Sequence, residues 1–251
     1  MNGSFRSTGR KVLFIDPPSV IEDQMIQFLI TAQYEAAVVK DVAQIQPLLQ
    51  KYPDAVIYFN LDSRTGKEVQ EKIMTNILSS KKQNNYVVGI LSYDKNEEVA
   101  QKYLMEMGAS GGYITLDLGF KKSAQILVRA LDAAEAKGDR QYVRVKVPNG
   151  KGALNIETET EKYSGEIIDI SIVGMACTIN TTFSKGTYLQ NIQMRLWGQL
   201  INISGTVAGN RDSSGTQISV IMFDPDLDPK TRSKINMFLK RVMQFEVETA
   251  K

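Results

Sequence analysis

Five short apolar runs punctuate the first half of the chain: Lys11–Ile15, Ala36–Val39, Ala55–Phe59, Tyr86–Leu91 and Gly112–Thr115. Each is brief, rich in Val, Ile, Leu or Tyr, and uninterrupted, as strands buried on both faces should be. Between the runs the period changes. Ile21, Met25, Phe28, Leu29 and Ala32 fall on one helical stripe, and Ser19 with Glu22 three residues later predicts a capping box at its start. Val99, Leu104 and Met107 repeat the pattern before Gly108, and Ile126, Leu127, Ala130, Leu131 and Ala134 predict a connector helix within Gly119–Lys137 that Gly138 ends. Strands alternating with helices predict an α/β, doubly wound parallel sheet over residues 11–138.

After Gly138 the period becomes two. From Arg140 to Pro148, Val143, Val145 and Val147 alternate with Tyr142, Arg144 and Lys146. Between Gly165 and Ala176, Ile168, Ile170 and Ile172 face one side of a strand pattern, while Asp169 and Ser171 face the other. Thr187–Leu189, Gln193–Leu196, Leu200–Ile203 and Gln217–Met222 read as further strands, with Gly205, Gly209 and Gly215 at turns. Asp228–Pro229 predicts a helix cap and first turn, followed by an apolar stripe of Ile235, Phe238, Leu239, Val242 and Met243. Residues 139–251 are therefore expected to form an antiparallel β-barrel closed by a C-terminal helix, with Trp197 in its core.

Composition narrows the chemistry. A chain of 251 residues suits two domains of about 100–130 residues each. The formal net charge of +2 gives no global bias toward a nucleic acid polymer, so any anion site must be local. The chain has no histidine, which removes the commonest general base and metal ligand, and no metal or cofactor is expected. Its single cysteine, Cys177, excludes an internal disulfide and fits a cytoplasmic location. Met1–Arg10 reads as a flexible tail, and no window is long enough to span a bilayer.

In the first half, strand order and the placement of Asp16 after the first strand resemble the response-regulator receiver family. That resemblance implies a second acid beside Asp16, an aspartate ending the third strand, a hydroxyl after the fourth and a lysine after the fifth. Here Pro17 and Pro18 follow Asp16, Phe59 or Asn60 stands at the phosphoacceptor position, Ser92 fits the hydroxyl, and Leu116 replaces the lysine. Asp62 is displaced by two or three residues and should be misaimed. Phosphoryl transfer needs a carboxylate nucleophile and a bound cation, so a pseudo-receiver serving a protein partner is expected.

In the second half, Arg140 and Arg144 share one parity and would stand roughly 13 Å apart on an extended strand. They are followed by Asp169, Ser171 and Gly174 in the order Asp-x-Ser-x-x-Gly. This conjunction of two arginines separated by three residues with the Asp-x-Ser-x-x-Gly run resembles the PilZ family. The resemblance implies that cyclic di-GMP is the ligand and that these five residues bind it. Guanidiniums grip phosphate and the guanine O6/N7 edge, a carboxylate accepts from guanine N1–H and N2–H2, and glycine keeps the floor open. Asp139, where many relatives have a basic residue, bears on affinity.

Other patterns carry less. Asp224, Asp226 and Asp228 alternate like a calcium loop, but Pro225 and Pro229 interrupt them and Ile235 stands at the twelfth position. Lys81–Lys82 and Lys121–Lys122 read as solvated surface. No nucleophile or metal cluster supports an enzyme. The expected function is a cyclic di-GMP receptor or adaptor of bacterial motility or virulence control, which changes domain arrangement or partner binding on ligand capture. The alternative is a ligand-independent interaction scaffold.

Overall fold

The structure, a computed structural model, describes residues 9–63, 65–79, 85–158, 160–213 and 215–250. Contacts divide it into two units, one running to Gln141 and including the residues from Met243, the other Tyr142–Val242.

The first unit is built on the five apolar runs. Strands β1 (Lys11–Ile15), β2 (Glu35–Val39), β3 (Val56–Asn60), β4 (Val87–Ser92) and β5 (Tyr113–Thr115) form a parallel sheet in the order β2-β1-β3-β4-β5. Every residue of β1 and β3 is buried, which is why these strands read as unbroken apolar runs. Helices α1 (Ile26–Thr31), α2 (Ile45–Lys51), α3 (Lys67–Ser79), α4 (Glu97–Gln101) and α5 (Phe120–Ala133) connect them. The strand order reverses between β1 and β3, the place where open α/β sheets leave a crevice beyond their carboxyl ends.

Three local expectations are corrected. The first helix has no side-chain cap: a wide turn over Ile21–Met25 precedes α1, Ile21 N–H donates to the Pro18 carbonyl, and Glu22 pairs with Lys40 at 2.7 Å. Helix α5 stops at Ala133 and not at Gly138, because Glu135 takes the left-handed position (φ 51°) and Ala136 N–H reaches back to Leu131 at 2.9 Å. The tail expected over Met1–Arg10 lies outside the described residues as far as residue 8. Arg10 itself is buried, its N–H bonded to Ala136. The Lys81–Lys82 pair lies outside the described residues, and Lys121 and Lys122 are exposed on α5.

In the second unit β6 (Arg144–Lys146), β7 (Gly152–Glu157), β8 (Lys162–Ser171), β9 (Gly174–Ile179), β10 (Tyr188–Leu196), β11 (Gln199–Ser213) and β12 (Thr216–Phe223) pair antiparallel. The order β8-β7-β10-β11-β12-β9 closes on itself through β8–β9, giving a six-stranded barrel, and β6 extends the β7 side of β8. Alternate residues such as Leu154, Ile156, Met194, Ile203 and Ile221 fill its interior. Gly165–Ala176 is two strands and not one, turning at Ile172–Val173. Trp197 occupies a hairpin turn at φ 51° with Gly198 at 87°, and its half-buried ring lies 4.4 Å from the Arg241 guanidinium.

The chain ends in α6 (Pro229–Glu248). Asp228 caps it by accepting from Lys230 N–H (2.9 Å) and Thr231 N–H (3.0 Å), as the sequence predicts. Phe238, Leu239 and Val242 are buried within the barrel unit. From Met243 onward the helix counts with the first unit, where Val247 joins the core. There the Gln244 amide bonds both backbone groups of Val38 on the edge strand β2, at 3.0 and 2.9 Å.

Candidate functional site

The barrel's candidate site is built on β6 and β8. Arg144 pairs with Ser171, Val145 with Ile170 and Lys146 with Asp169. Val145 and Ile170 are buried in the barrel, so Arg144, Lys146, Asp169 and Ser171 share the opposite face. Arg144 and Asp169 are diagonal neighbours on it, and Arg144 Nη1 lies 3.3 Å from Asp169 Oδ1 with side-chain exposures of 29% and 16%. The contact is an ion pair without a hydrogen bond: Asp169 Oδ1 is shielded from solvent yet accepts no donor. An unspent buried carboxylate oxygen is costly, and a ligand that supplies N–H groups relieves that cost.

A bulge in β8 between Ile167 and Asp169 turns both Ile167 and Ile170 inward, leaving Ile168 half-buried, and thereby sets the aim of Asp169. The carboxylate also acts inward. Burial, reinforced by the Asp169 charge, pushes the Cys177 thiol up to about 12.

The other three motif residues behave differently. Ser171 is buried; its hydroxyl donates to the Gly174 carbonyl at 3.2 Å and accepts from Val173 N–H at 3.4 Å, bracing the β8–β9 turn. A Cβ on Gly174 would meet the Ile221 carbonyl of β12 at 2.6 Å, so close strand approach, and not an open floor, demands glycine there. Arg140 is exposed and outside any strand. The extended run expected from Arg140 begins only at Arg144, because β8 ends at Ser171 and offers no ladder partner upstream.

The crevice of the first unit is occupied by its own side chains. Asp16, at φ 43°, accepts from Thr65 Oγ1 at 2.8 Å, while Asn60 Nδ2 donates to the Asp16 carbonyl. Asp62, displaced in the spacing, turns toward the end of β4. Its Oδ2 accepts from Ser92 Oγ at 3.0 Å and from Tyr93 N–H at 2.8 Å. The slip in spacing is absorbed by the turn after β3, where Asp62 N–H bonds Asn60 Oδ1. Leu116, after β5, is buried. Among the described residues no three His, Cys, Asp or Glu side chains gather to hold a metal, and no helix is long and apolar enough to cross a membrane.

The second unit is a closed antiparallel barrel with a C-terminal helix and an outward Arg–Asp pair. Residues 139–241 match the family described as "PilZ domain". No curated protein matches the chain. Solved structures similar to it include the PilZ domain with c-di-GMP of YcgR from Escherichia coli (15% identity, 44% of this chain and 92% of that one, TM-score 0.35). Two others are MotI/DgrA, the Bacillus subtilis inhibitor of motility (18% identity, 41% and 50%, TM-score 0.35), and the K. pneumonia MrkH–c-di-GMP complex (20%, 46% and 57%, TM-score 0.39). The chain thus spans about half the length of these last two proteins.

Proposed function

We propose that this chain is a receptor for cyclic di-GMP. The observation that carries the reading is the Arg144–Asp169 pair, in which a buried carboxylate oxygen stands beside a guanidinium and holds no hydrogen bond. Asp169 accepts from guanine N1–H and N2–H2, an edge that adenine lacks, and so supplies base specificity. Arg144 grips a phosphate or the O6/N7 edge of the base, and Arg140, exposed upstream of β6, is the second cation, drawn in when the ligand arrives. Ser171 and Gly174 act by fixing the turn that holds Asp169 in register. The family that residues 139–241 match supports a binding role and not a catalytic one.

The first unit is a pseudo-receiver in the bacterial cytoplasm. Its crevice is satisfied internally and its exposed surface serves a protein partner, and ligand capture alters that partner binding or the arrangement of the domains. Acetyl phosphate with magnesium should leave the protein's mass unchanged; a stable phosphoryl adduct would overturn this part.

Isothermal titration with cyclic di-GMP, against cyclic di-AMP and GTP, tests the receptor reading. Asp169→Ala removes two hydrogen bonds to a charged acceptor, about 3 kcal/mol or more than a hundredfold in affinity. Arg144→Ala should weaken binding comparably, because phosphate recognition is charge-assisted. Unchanged affinity in both variants would sink the site. No selective binding by the parent chain would favour the ligand-independent scaffold.

A further inference from the structure

The outer wall of the barrel, away from β6, carries a row of side chains unlike an ordinary solvated face. Asn155 on β7 stands opposite Gln193 on β10, which stands opposite Asn202 on β11; on the other side Asn155 faces Ser164 of β8. All four side chains are exposed, while Ile156, Ile192 and Ile203 beside them point into the core. No hydrogen bond within the chain engages the amides of Asn155, Gln193 and Asn202 among the described residues. Asn is disfavoured in strands, and three amides in direct register across neighbouring strands do nothing for the core.

The same wall is concave. Between Leu189 and Ile192 strand β10 places Gln190 and Asn191 opposite the single residue Ser204 of β11, a bulge that lifts the strand out of the plane. The depression so formed has a volume of about 900 Å³, within the range of small-ligand sites. Among the described residues, its charged lining residues, Glu157 and Lys162, neutralise each other at 2.8 Å. None of its lining residues is among the five of the nucleotide motif.

We propose that this groove binds a neutral glycan chain. Every amide offers both donor and acceptor, as does every sugar hydroxyl, so the row can exchange hydrogen bonds along a polyhydroxylated chain. Neighbouring strands repeat about every 4.8 Å, and the four residues together span about 14 Å. A nucleic acid or an anionic lipid would need unpaired cations, and among the described residues the groove has none. A folded protein partner would need an apolar anchor, but Tyr163 is half-buried, packed edge-to-face on Phe183 and hydrogen-bonded to Glu161.

The test is electrophoresis of the full chain in native gels cast with dextran, hydroxyethylcellulose or galactomannan. The chain should be retarded by at least one of these. In N155A/Q193A/N202A the affinity should fall about a hundredfold, the loss of three modest hydrogen bonds, with an unchanged thermal midpoint. Should that variant fold poorly, Gln193→Glu carries the same expectation at about tenfold. The proposal is overturned by unaltered mobility in all three gels. It is equally overturned by equal retardation of folded variants, or by binding of an uncharged Ser/Asn-rich peptide in place of the polysaccharides. Cyclic di-GMP titration of the same variants separates this failure from any failure of the nucleotide site.

Discussion

Lys11 offers a sharp test of how the first unit holds its last helical turn. It sits on β1 with its side chain 3% exposed, and its ammonium lies 3.3 Å from Glu35 Oε2 and 3.1 Å from Glu246 Oε2. It also lies 5.2 Å from the Tyr52 ring centroid. Lys11→Met keeps most of the stem but leaves two carboxylates without their shared cation. Removing one partner of a buried pair costs about 3–5 kcal/mol. Glu35 and Glu246 remain 18% and 28% exposed and regain some hydration, so the lower end, about 3 kcal/mol, is expected. Adding Glu246→Gln should restore part of the loss, because it removes the repulsion the first change creates.

Urea unfolding followed by far-UV circular dichroism measures this change. The fluorescence of the chain's single tryptophan, Trp197 in the barrel unit, provides an internal control that should move far less. The pH dependence adds a second arm. Burial opposes the charge on Lys11, but the Glu35 and Glu246 carboxylates outweigh it and hold the ammonium above its ordinary value. The stability it contributes is therefore complete below the unfolded value, about pH 10.4, and is lost as pH rises through the folded one. Above that point the parent should lose stability faster than Lys11→Met. A loss under about 0.5 kcal/mol, or identical alkaline profiles, would refute the reasoning.

Two further outcomes concern the barrel. Gly165→Ala places a Cβ 1.9 Å from the Thr178 carbonyl of β9, a backbone group that cannot rotate away, so it should cost roughly 3 kcal/mol in Trp197-monitored unfolding; a cost below about 1 kcal/mol would mean that β8 and β9 separate easily. The Cys177 thiol, buried and pushed up to about 12, should resist iodoacetamide at pH 8 until urea unfolds the barrel, and rapid native labelling would contradict its placement.

The parallel strands were legible because their burial is written locally: five apolar residues in succession leave little choice. The barrel strands were legible where alternation is clean, as at Val143–Val147, and the last helix through its apolar stripe from Ile235 to Met243. Strand β7 escaped because the turn at 148–151 splits it from β6 and its Leu154–Asn155–Ile156–Glu157 alternation is short. Helix ends were misplaced where a non-glycine, Glu135, accepts the left-handed conformation. At the candidate site, residue identities could be read, but the Arg144–Asp169 diagonal and the brace of Ser171 on the β8–β9 turn depend on which strands pair. The amide row could not be seen at all, since Asn155, Gln193 and Asn202 meet only through register.

The Gln244 contact on β2 has a bearing on solubility. An edge strand is an open template, and each unpaired N–H and C=O along it invites another chain to add a strand. At Val38 a side-chain amide imitates the missing peptide group, offering one donor and one acceptor in the places a neighbouring strand would use. The final turn of the last helix thus works as a guard against edge-to-edge assembly. A chain cut before Met243 would bare β2 and turn an ordinary folded unit into a seed for self-association.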